Sequence, residues 1–254
     1  MEEAKISVVI NTYNAQRYLA EVLESVKDFD EVLVCDMEST DDTLHIAEAS
    51  RCRVVTFPKG NLQIVEPARE FAIHQATFPW VLVVDADELV TPELHEFLYR
   101  HIRREHPADG IYIPRKNRLM GRFMHGYFPD YNLRFFRQTV TTWPPVIHAQ
   151  PKVYGSLLYI PRQQKKLAID HLDDRSIQAR LMKINLYTEY EIEKSKDRHY
   201  GILSFVYRPM ARFIKCYLLK GGFLDGVPGL LFAWLEAVQQ FVILAKLYEN
   251  KHQG

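Results

Sequence analysis

The chain has 254 residues, of which 47% are hydrophobic and 25% are charged, and its formal net charge is zero. The neutrality is a cancellation: residues 1–110 hold 10 basic and 21 acidic residues, whereas residues 111–254 hold 22 basic and 11 acidic ones. This composition excludes a disordered chain and a DNA-binding module with evenly spread positive charge. The length allows a sizeable core, in one large domain or in a domain with an appendage.

In the first 110 residues, short β-branched runs alternate with amphipathic stretches. The runs predict strands over 6–10, 31–35, 53–57 and 80–84, and the stretches predict helices over 17–27, 44–49, 66–77 and 92–106. Strands that alternate with helices predict an α/β fold, with a mostly parallel sheet and helices on both faces.

After residue 110 the pattern changes at the point where the charge reverses. Strands are expected over 111–115 and 133–137, and a helix over 176–196. Two apolar helical stretches follow residue 201, separated by the sequence GGFLDG at 221–226. The change predicts a boundary near residue 110.

The start of the chain and its three cysteines favour a cytosolic protein. The first residues are acidic and lead directly into a strand, which predicts no secretory signal. The cysteines show no metal-type spacing, and Cys35 ends an apolar run typical of a buried thiol. No uncharged apolar stretch reaches about 18 residues, so no membrane-spanning helix is expected.

Three of the predicted strands end in polar clusters, namely 12–14, Asp36 with Ser39, and Asp85-Ala86-Asp87. Because ligands of parallel α/β sheets bind beyond the carboxyl ends of the strands, we expect these clusters to converge. Two carboxylates held together repel each other unless a cation or a proton lies between them. The D-x-D pattern therefore indicates a site for Mg²⁺ or Mn²⁺, with a solvated turn as the alternative.

Several segments resemble family 2 glycosyltransferases of the GT-A fold. They are ISVVINTYN at 6–14, DMESTDDT at 36–43 and WVLVVDADE at 80–88. FPDYNLRFFR at 128–137 and GFLDG at 222–226 are similar to the subgroup of bacterial lipopolysaccharide core β-glucosyltransferases. The resemblance implies a GT-A type, Rossmann-like sheet with a C-terminal helical extension. It divides the chain into a nucleotide-sugar-binding half (1–110), an acceptor-binding half (111–200) and an amphipathic helical tail (201–254).

The resemblance also implies roles for individual residues. The nucleotide-sugar would be bound by Thr12, Tyr13, Asn14, Asp36, Ser39, Arg69 and Asp85. Asp36 would accept the uracil N–H, and Arg69 would bond the diphosphate unless it is only an exposed helix arginine. Asp87 would hold the metal, Mg²⁺ or Mn²⁺. Asp85 would contact ribose or share the metal, and His171 would complete the shell or serve a structural role.

Inverting transfer also needs a base that deprotonates the acceptor hydroxyl. The subgroup places a His followed by a Glu near His148, but residue 149 is Ala, so that acid is missing. Asp130 and His148 are therefore the candidate catalytic residues, with His171 as a further candidate base. The alternative for Asp130 is a structural ion pair with Arg134 or Arg137.

Residues 115–137 combine six basic residues with aromatic ones and contain a single acid, Asp130. Such segments bind nucleic acid, phosphorylated sugars or only solvent. Their position beside a nucleotide-sugar site favours a phosphorylated or lipid-linked glycan acceptor and no nucleic acid, with Arg134, Arg137 and Tyr131 as acceptor-binding residues.

The tail carries basic amphipathic stretches with wide apolar faces. These faces favour peripheral contact with an anionic membrane leaflet, and the alternatives are packing on the catalytic domain or a homodimer through the C-terminal helices.

Together the features predict a cytoplasmic, metal-dependent, inverting bacterial glycosyltransferase at the inner face of the cytoplasmic membrane. It would move a hexose from a UDP-sugar to a lipopolysaccharide core or another lipid-linked glycan. The alternatives are a polyprenyl-phosphate glycosyltransferase, a sugar nucleotidyltransferase and a non-catalytic UDP-sugar-binding protein. The second would need a Gly-rich loop after the first strand, which residues 11–16 lack.

Overall fold

The computed structural model describes residues 4–62, 64–144, 150–172, 176–193 and 200–252. The chain forms two compact units, Met1–Lys116 with Pro129–Leu172, and Asn117–Phe128 with Asp173–Gly254. These two units differ from the three functional segments predicted from the sequence, which are divided at residues 110 and 200. That functional division remains a prediction.

The described residues form thirteen strands and seven α-helices. The strands are β1 Ile6–Thr12, β2 Glu31–Asp36, β3 Arg53–Thr56, β4 Trp80–Asp85, β5 Glu88–Leu89, β6 Gly110–Lys116, β7 Arg118–Leu119, β8 Arg122–Phe123, β9 Asp130–Arg137, β10 Thr141–Thr142, β11 Lys152–Val153, β12 Leu157–Tyr159 and β13 Ile169–His171. The helices are α1 Leu19–Val26, α2 Thr43–Ala49, α3 Glu66–Gln75, α4 Pro92–Ile102, α5 Ile177–Glu193, α6 Ser204–Ile214 and α7 Gly226–His252.

The first unit is built on one mixed sheet. In the described part of the chain its strand order is β3-β2-β1-β4-β9-β6-β13-β5, and β12 also pairs with β6. The four strands β3, β2, β1 and β4 are parallel, as the alternation of strands and helices predicts. Strand β9 then runs antiparallel between β4 and β6, so the second half of the sheet is mixed.

Helices cover both faces of this sheet, which confirms that prediction. Strand β1 is buried on both sides because its side chains alternate between two apolar clusters. Val8 packs in the cluster that contains Leu23 of α1 and Leu94 of α4, whereas Val9 packs in the cluster that contains Ala72 of α3. Full burial of side chains of the Val or Leu type contributes about 1.5–3 kcal/mol each.

Cys35 is a buried free thiol, as predicted. Its burial, together with the neighbouring charge of Asp36, raises its pKa to about 12. Cys35 is therefore protonated at neutral pH and is a poor nucleophile.

In the second unit, the GFLDG segment holds a short 3₁₀ turn at His125–Tyr127. The buried carboxylate of Asp225 accepts hydrogen bonds from His125 N and His125 Nδ1, both at 2.8 Å, and from Gly126 N at 2.9 Å. A Cβ atom at Gly229 would lie 1.9 Å from the carbonyl oxygen of Gly222, so only glycine fits there. The motif thus has a structural role within this unit.

Helices α6 and α7 pack against each other in the second unit. Arg212 Nε donates to Glu236 Oε2 at 2.9 Å, and the rings of Phe213 and Trp234 are 4.7 Å apart. Among the described residues, one helical stretch, Gly222–His252, is long and apolar enough to cross a membrane by length and composition, a test that core helices of soluble proteins also pass.

Candidate active site

The three predicted polar clusters converge at one edge of the sheet. Thr12, Asp36 and Asp85 are the last residues of β1, β2 and β4. In the strand register Thr12 lies beside Asp36, and Asn11 lies beside Asp85. The parallel pairing of these strands therefore brings the clusters together beyond their carboxyl ends.

Asp36 organises the loops after β1 and β2. Its carboxylate accepts hydrogen bonds from Thr12 Oγ1 at 2.9 Å, Ser39 N at 2.8 Å and Ser39 Oγ at 2.6 Å. Ser39 Oγ in turn accepts from Asn14 N at 2.9 Å. Asp36 has no exposed surface, so in this conformation it positions Thr12 and Ser39, and its oxygens are not open to a base N–H.

Tyr13 presents its ring at the same edge, with 46% of the residue exposed. Lys59 Nζ lies 4.6 Å from the centre of that ring, a cation–π contact. Tyr13 is therefore available to stack on a flat ligand, and Lys59, which is not among the residues predicted from the sequence, adds a positive charge there.

Asp85 is held between two arginines. Arg69 of α3 contacts Oδ1 and Arg134 of β9 contacts Oδ2. Burial alone would raise the pKa of Asp85, but the charges of Arg134 and Arg69 outweigh it and hold this pKa well below its usual range. Asp85 is therefore a carboxylate at neutral pH, and both of its oxygens already bond cations.

The ion pairs continue from Arg134 to Asp130. Arg134 Nη2 and Arg115 Nη1 each lie 3.1 Å from Oε1 of Glu88, whose side chain has no exposed surface. Arg115 also bonds Asp130 Oδ2 at 2.7 and 3.0 Å. We call this alternating series the ion chain, and its members are Arg69, Asp85, Arg134, Glu88, Arg115 and Asp130.

The ion chain corrects the expected partner of Asp130, which is Arg115 and neither Arg134 nor Arg137. Burial lowers the pKa of the Arg115 guanidinium by itself, but the charges of Glu88 and Asp130 outweigh this effect and raise it. Glu88 and Arg115 are not among the site residues predicted from the sequence, although both lie in segments singled out there. The available signal was the position of Glu88 directly after the D-A-D motif.

A cavity of about 230 Å³ lies beside Arg69 and Arg134 and is also lined by Trp143. Among the residues that the structure describes, Arg69 Nε, Arg134 Nε and Trp143 Nε1 are buried and have no hydrogen-bond partner. Buried N–H donors are normally satisfied, so three unpaired ones around one cavity point to an oxygen-rich ligand or to bound water.

Asp87 and His171 are close together, which fits part of the predicted metal site. Asp87 Oδ2 lies 3.4 Å from His171 Nε2, and Asp87 O accepts a hydrogen bond from Leu172 N. Across the described ranges, no group of three or more His, Cys, Asp or Glu side chains is arranged to hold a metal ion. A site with one carboxylate and one imidazole fits a cation such as Mn²⁺ if ligand oxygens supply the remaining coordination.

The structure places Arg137 away from the other predicted site residues. Its Nε lies 3.2 Å from Asp109 Oδ1, and its guanidinium is 4.8 Å from the centre of the Trp80 ring. Trp80 begins β4 whereas Asp85 ends it, which separates them by roughly 17 Å along an extended strand. Arg137 is therefore not part of the cluster around Asp85.

Two other residues predicted from the sequence are Tyr131 and His148. Tyr131 is half-buried, and its hydroxyl donates to Ile160 O at 2.7 Å. His148 and Ala149 lie outside the described residues. Trp143 and Gln150, which the structure describes, both line the cavity beside Arg69.

The fold is that of the GT-A class of glycosyltransferases. A crystal structure of Staphylococcus aureus TarS, residues 1–349, shares this fold, with a TM-score of 0.51 and 18% identity over 98% of this chain and 92% of that one. The family model described as glycosyl transferase family 2 matches residues 7–152. The chain belongs to this family and is a glycosyltransferase.

Two curated relatives are similar over nearly the whole chain. A glycosyltransferase of Rickettsia conorii described as uncharacterized is 30% identical, covering 97% of this chain and 90% of its own length. The lipopolysaccharide core biosynthesis glycosyltransferase LpsC of Rhizobium meliloti is 24% identical, covering 96% and 92% respectively. The resemblance expected from the sequence motifs is therefore confirmed.

Proposed function

We propose that this glycosyltransferase moves a hexose from a UDP-sugar, with inversion, to a lipopolysaccharide core or another lipid-linked glycan. The observation that carries the proposal is the cavity lined by Arg69, Arg134 and Trp143, since each of these three residues also holds a buried N–H group without a hydrogen-bond partner. Phosphate and sugar oxygens are the acceptors that would satisfy such donors.

The nucleoside would lie against Tyr13, over the loops that Asp36, Thr12, Asn14 and Ser39 hold together. Tyr13 would stack on the uracil ring. Arg69, which reaches the cavity from α3, would bond an oxygen of the diphosphate while Asp85 fixes its guanidinium. Donors fixed in advance in this way stabilise the charge that develops on a leaving group.

Asp87 and His171 would hold the divalent cation. Such a cation, when bound, supplies positive charge to the departing diphosphate. The contribution of Asp85 is different in this proposal, because its two oxygens bond Arg69 and Arg134. Asp85 thus acts as a positioning residue for the two arginines, and a share in the metal would require one of them to move.

Asp130 and His148 remain the leading candidate bases, and His171, the further candidate, is assigned to the cation in this proposal. Replacing Asp130 by Asn distinguishes a base from an ion-pair partner of Arg115. Loss of a base should lower kcat by about 10²–10⁴-fold and change its pH profile. Loss of an ion pair alone should lower Tm and leave the pH profile unchanged. His148→Gln is the parallel test for the second candidate.

The proposed acceptor rests on the relatives. LpsC is named for lipopolysaccharide core biosynthesis, and TarS is named as a poly(ribitol-phosphate) β-N-acetylglucosaminyltransferase, so both relatives are named for work on bacterial glycans or glycopolymers. A lipid-linked acceptor would place the enzyme at the inner face of the cytoplasmic membrane.

The test is to incubate the protein with Mn²⁺ and a panel of nucleotide sugars and to measure release of nucleoside diphosphate. Release from a UDP-hexose supports the proposal. Tight UDP binding without turnover of any donor would favour a binding protein, and pyrophosphate release from UTP and a sugar phosphate would favour a nucleotidyltransferase.

The metal assignment has a matched control. Asp87 and Asp170 have similar exposure, but Asp170 pairs with Lys116. Asp87→Ala should abolish the effect of Mn²⁺ on UDP binding measured by calorimetry, whereas Asp170→Ala should preserve it. Equal effects of Mn²⁺ in both variants would contradict the assignment.

A further inference from the structure

Helix α6 and the residues just before it expose an apolar surface. Of the eight exposed residues between 202 and 215, only Lys215 is charged. Six large apolar residues make up the α6 face, and they are Ile202, Leu203, Val206, Tyr207, Met210 and Ile214. A surface helix of a soluble protein normally shows charged and polar residues to solvent, so α6 has the reverse pattern.

The side of α6 that packs inside the second unit is a different one. Phe205, Arg212 and Phe213 contact α7, through an aromatic pair with Phe241, an ion pair with Glu236 and an aromatic pair with Trp234. At 3.6 residues per turn, the four residues of the α6 face that lie within α6 span an arc of roughly 100°, and Ile202 and Leu203 directly precede the helix. The π-helical turn Lys215–Leu219, which continues α6, adds exposed Leu218 and Leu219.

The charged residues on α6 and its immediate flanks in the sequence are all positive. Residues 201–224 contain Arg208, Arg212, Lys215 and Lys220 and no acidic residue. Glu236 neutralises Arg212, which leaves three cations beside the apolar arc. A symmetric dimer through this face would bring like charges together, whereas an anionic lipid surface complements them.

We propose that the α6 face docks the protein on the anionic surface of a membrane, with α6 lying in the plane of the headgroups. Apolar side chains on a wide arc with cations beside it are the features of an interfacial helix. This inference rests on the proposed function in one respect, because the lipid-linked acceptor identifies which membrane is the partner.

The test is flotation of the full chain with vesicles of phosphatidylethanolamine and phosphatidylglycerol, compared with vesicles of phosphatidylcholine alone. The protein should float with the anionic vesicles and less with the neutral ones. The double variant Leu203→Glu/Val206→Glu should lower the vesicle partition coefficient at least about tenfold, because two large apolar side chains are no longer available for burial in the membrane. Lys215→Gln/Lys220→Gln should lower it about 30-fold on anionic vesicles, and salt should weaken wild-type binding.

The matched control is Leu181→Glu/Met182→Glu, which changes two exposed apolar residues on α5 of the same unit. It should float like the wild type, and an unchanged Tm should show that all variants are folded. Failure of the wild type to float, or equal flotation of the α6 and α5 variants, would overturn the proposal. So would a dimer that only the α6 variant dissociates without any vesicle binding. UDP release from the donor panel is measured without vesicles, so a failure of the proposed function is seen separately.

Discussion

Replacing Glu88 by Gln should destabilise the first unit, because the substitution removes a buried negative charge from the middle of the ion chain. The Glu88 side chain has no exposed surface, and Oε1 lies 3.1 Å from nitrogen atoms of both Arg134 and Arg115. Gln has nearly the same shape, but it keeps one acceptor oxygen, whereas Glu88 accepts from the two arginines at Oε1 and from Asp85 N at Oε2. The change therefore removes the charge together with one acceptor. It leaves three cations facing two anions.

The expected loss in the free energy of unfolding depends on the ion pairs that Arg134 and Arg115 keep. Breaking a buried ion pair by removing one partner costs about 3–5 kcal/mol. Arg134 still bonds Asp85 and Arg115 still bonds Asp130, so we expect the lower end, about 3 kcal/mol. In a domain of roughly 150–250 residues, this loss lowers Tm by about 6–12 °C.

The assay is thermal unfolding followed by circular dichroism, with Glu93→Gln as the control. Glu93 pairs with Lys166 at 3.4 Å, but the two side chains are 44% and 83% exposed. Solvent screens such a pair, so this control should leave Tm unchanged. Equal Tm values for the two variants would refute the reasoning that burial makes the ion chain important for thermal stability.

Three further predictions concern acid stability, glycine packing and UDP affinity. The pKa of Asp85 is lower in the folded than in the unfolded chain, so its contribution is complete above the unfolded pKa of about 3.9 and is lost as pH falls below it. In Asp85→Asn, the free energy of unfolding measured by urea denaturation should therefore fall less steeply below about pH 4 than in the wild type. The same dependence on pH in both proteins would contradict this. Gly229→Ala should lower Tm, because its Cβ atom would overlap the carbonyl oxygen of Gly222; an unchanged Tm would show that this contact relaxes easily. Ser39→Ala should weaken UDP binding about tenfold by calorimetry, since it removes the hydrogen bond that ties the β1 loop to Asp36. Equal affinity would mean that UDP does not use these loops.

The sequence allowed the strand-end clusters to be predicted because they depend on local order. Each polar cluster directly follows a β-branched run, and parallel strands must place such ends at one edge. The convergence of Thr12, Asp36 and Asp85 is therefore confirmed. Helix α4 likewise begins at the predicted residue, with Thr91 as its cap, since Leu94 N donates to Thr91 Oγ1.

The second half of the sheet could not be predicted because it depends on pairing between distant strands. Strand β9 inserts antiparallel between β4 and β6. This direction puts Arg134 near Asp85 and carries Arg137 to the beginning of β4. The two arginines are three residues apart, so on a strand they also point to opposite faces. The ion pair of Asp130 with Arg115 has the same origin, since the β6–β9 register places these residues opposite each other.

The most direct test of the donor site compares two arginines that differ in position. Arg69 reaches the cavity beside Asp85, whereas Arg137 lies at the other end of β4. With the donor that the panel identifies, Arg69→Gln should lower kcat/KM for nucleoside diphosphate release about 100-fold. Arg137→Gln should change it by no more than about twofold. An unchanged kcat/KM for Arg69→Gln, or equal losses in both variants, would contradict a donor site at the carboxyl end of the parallel strands.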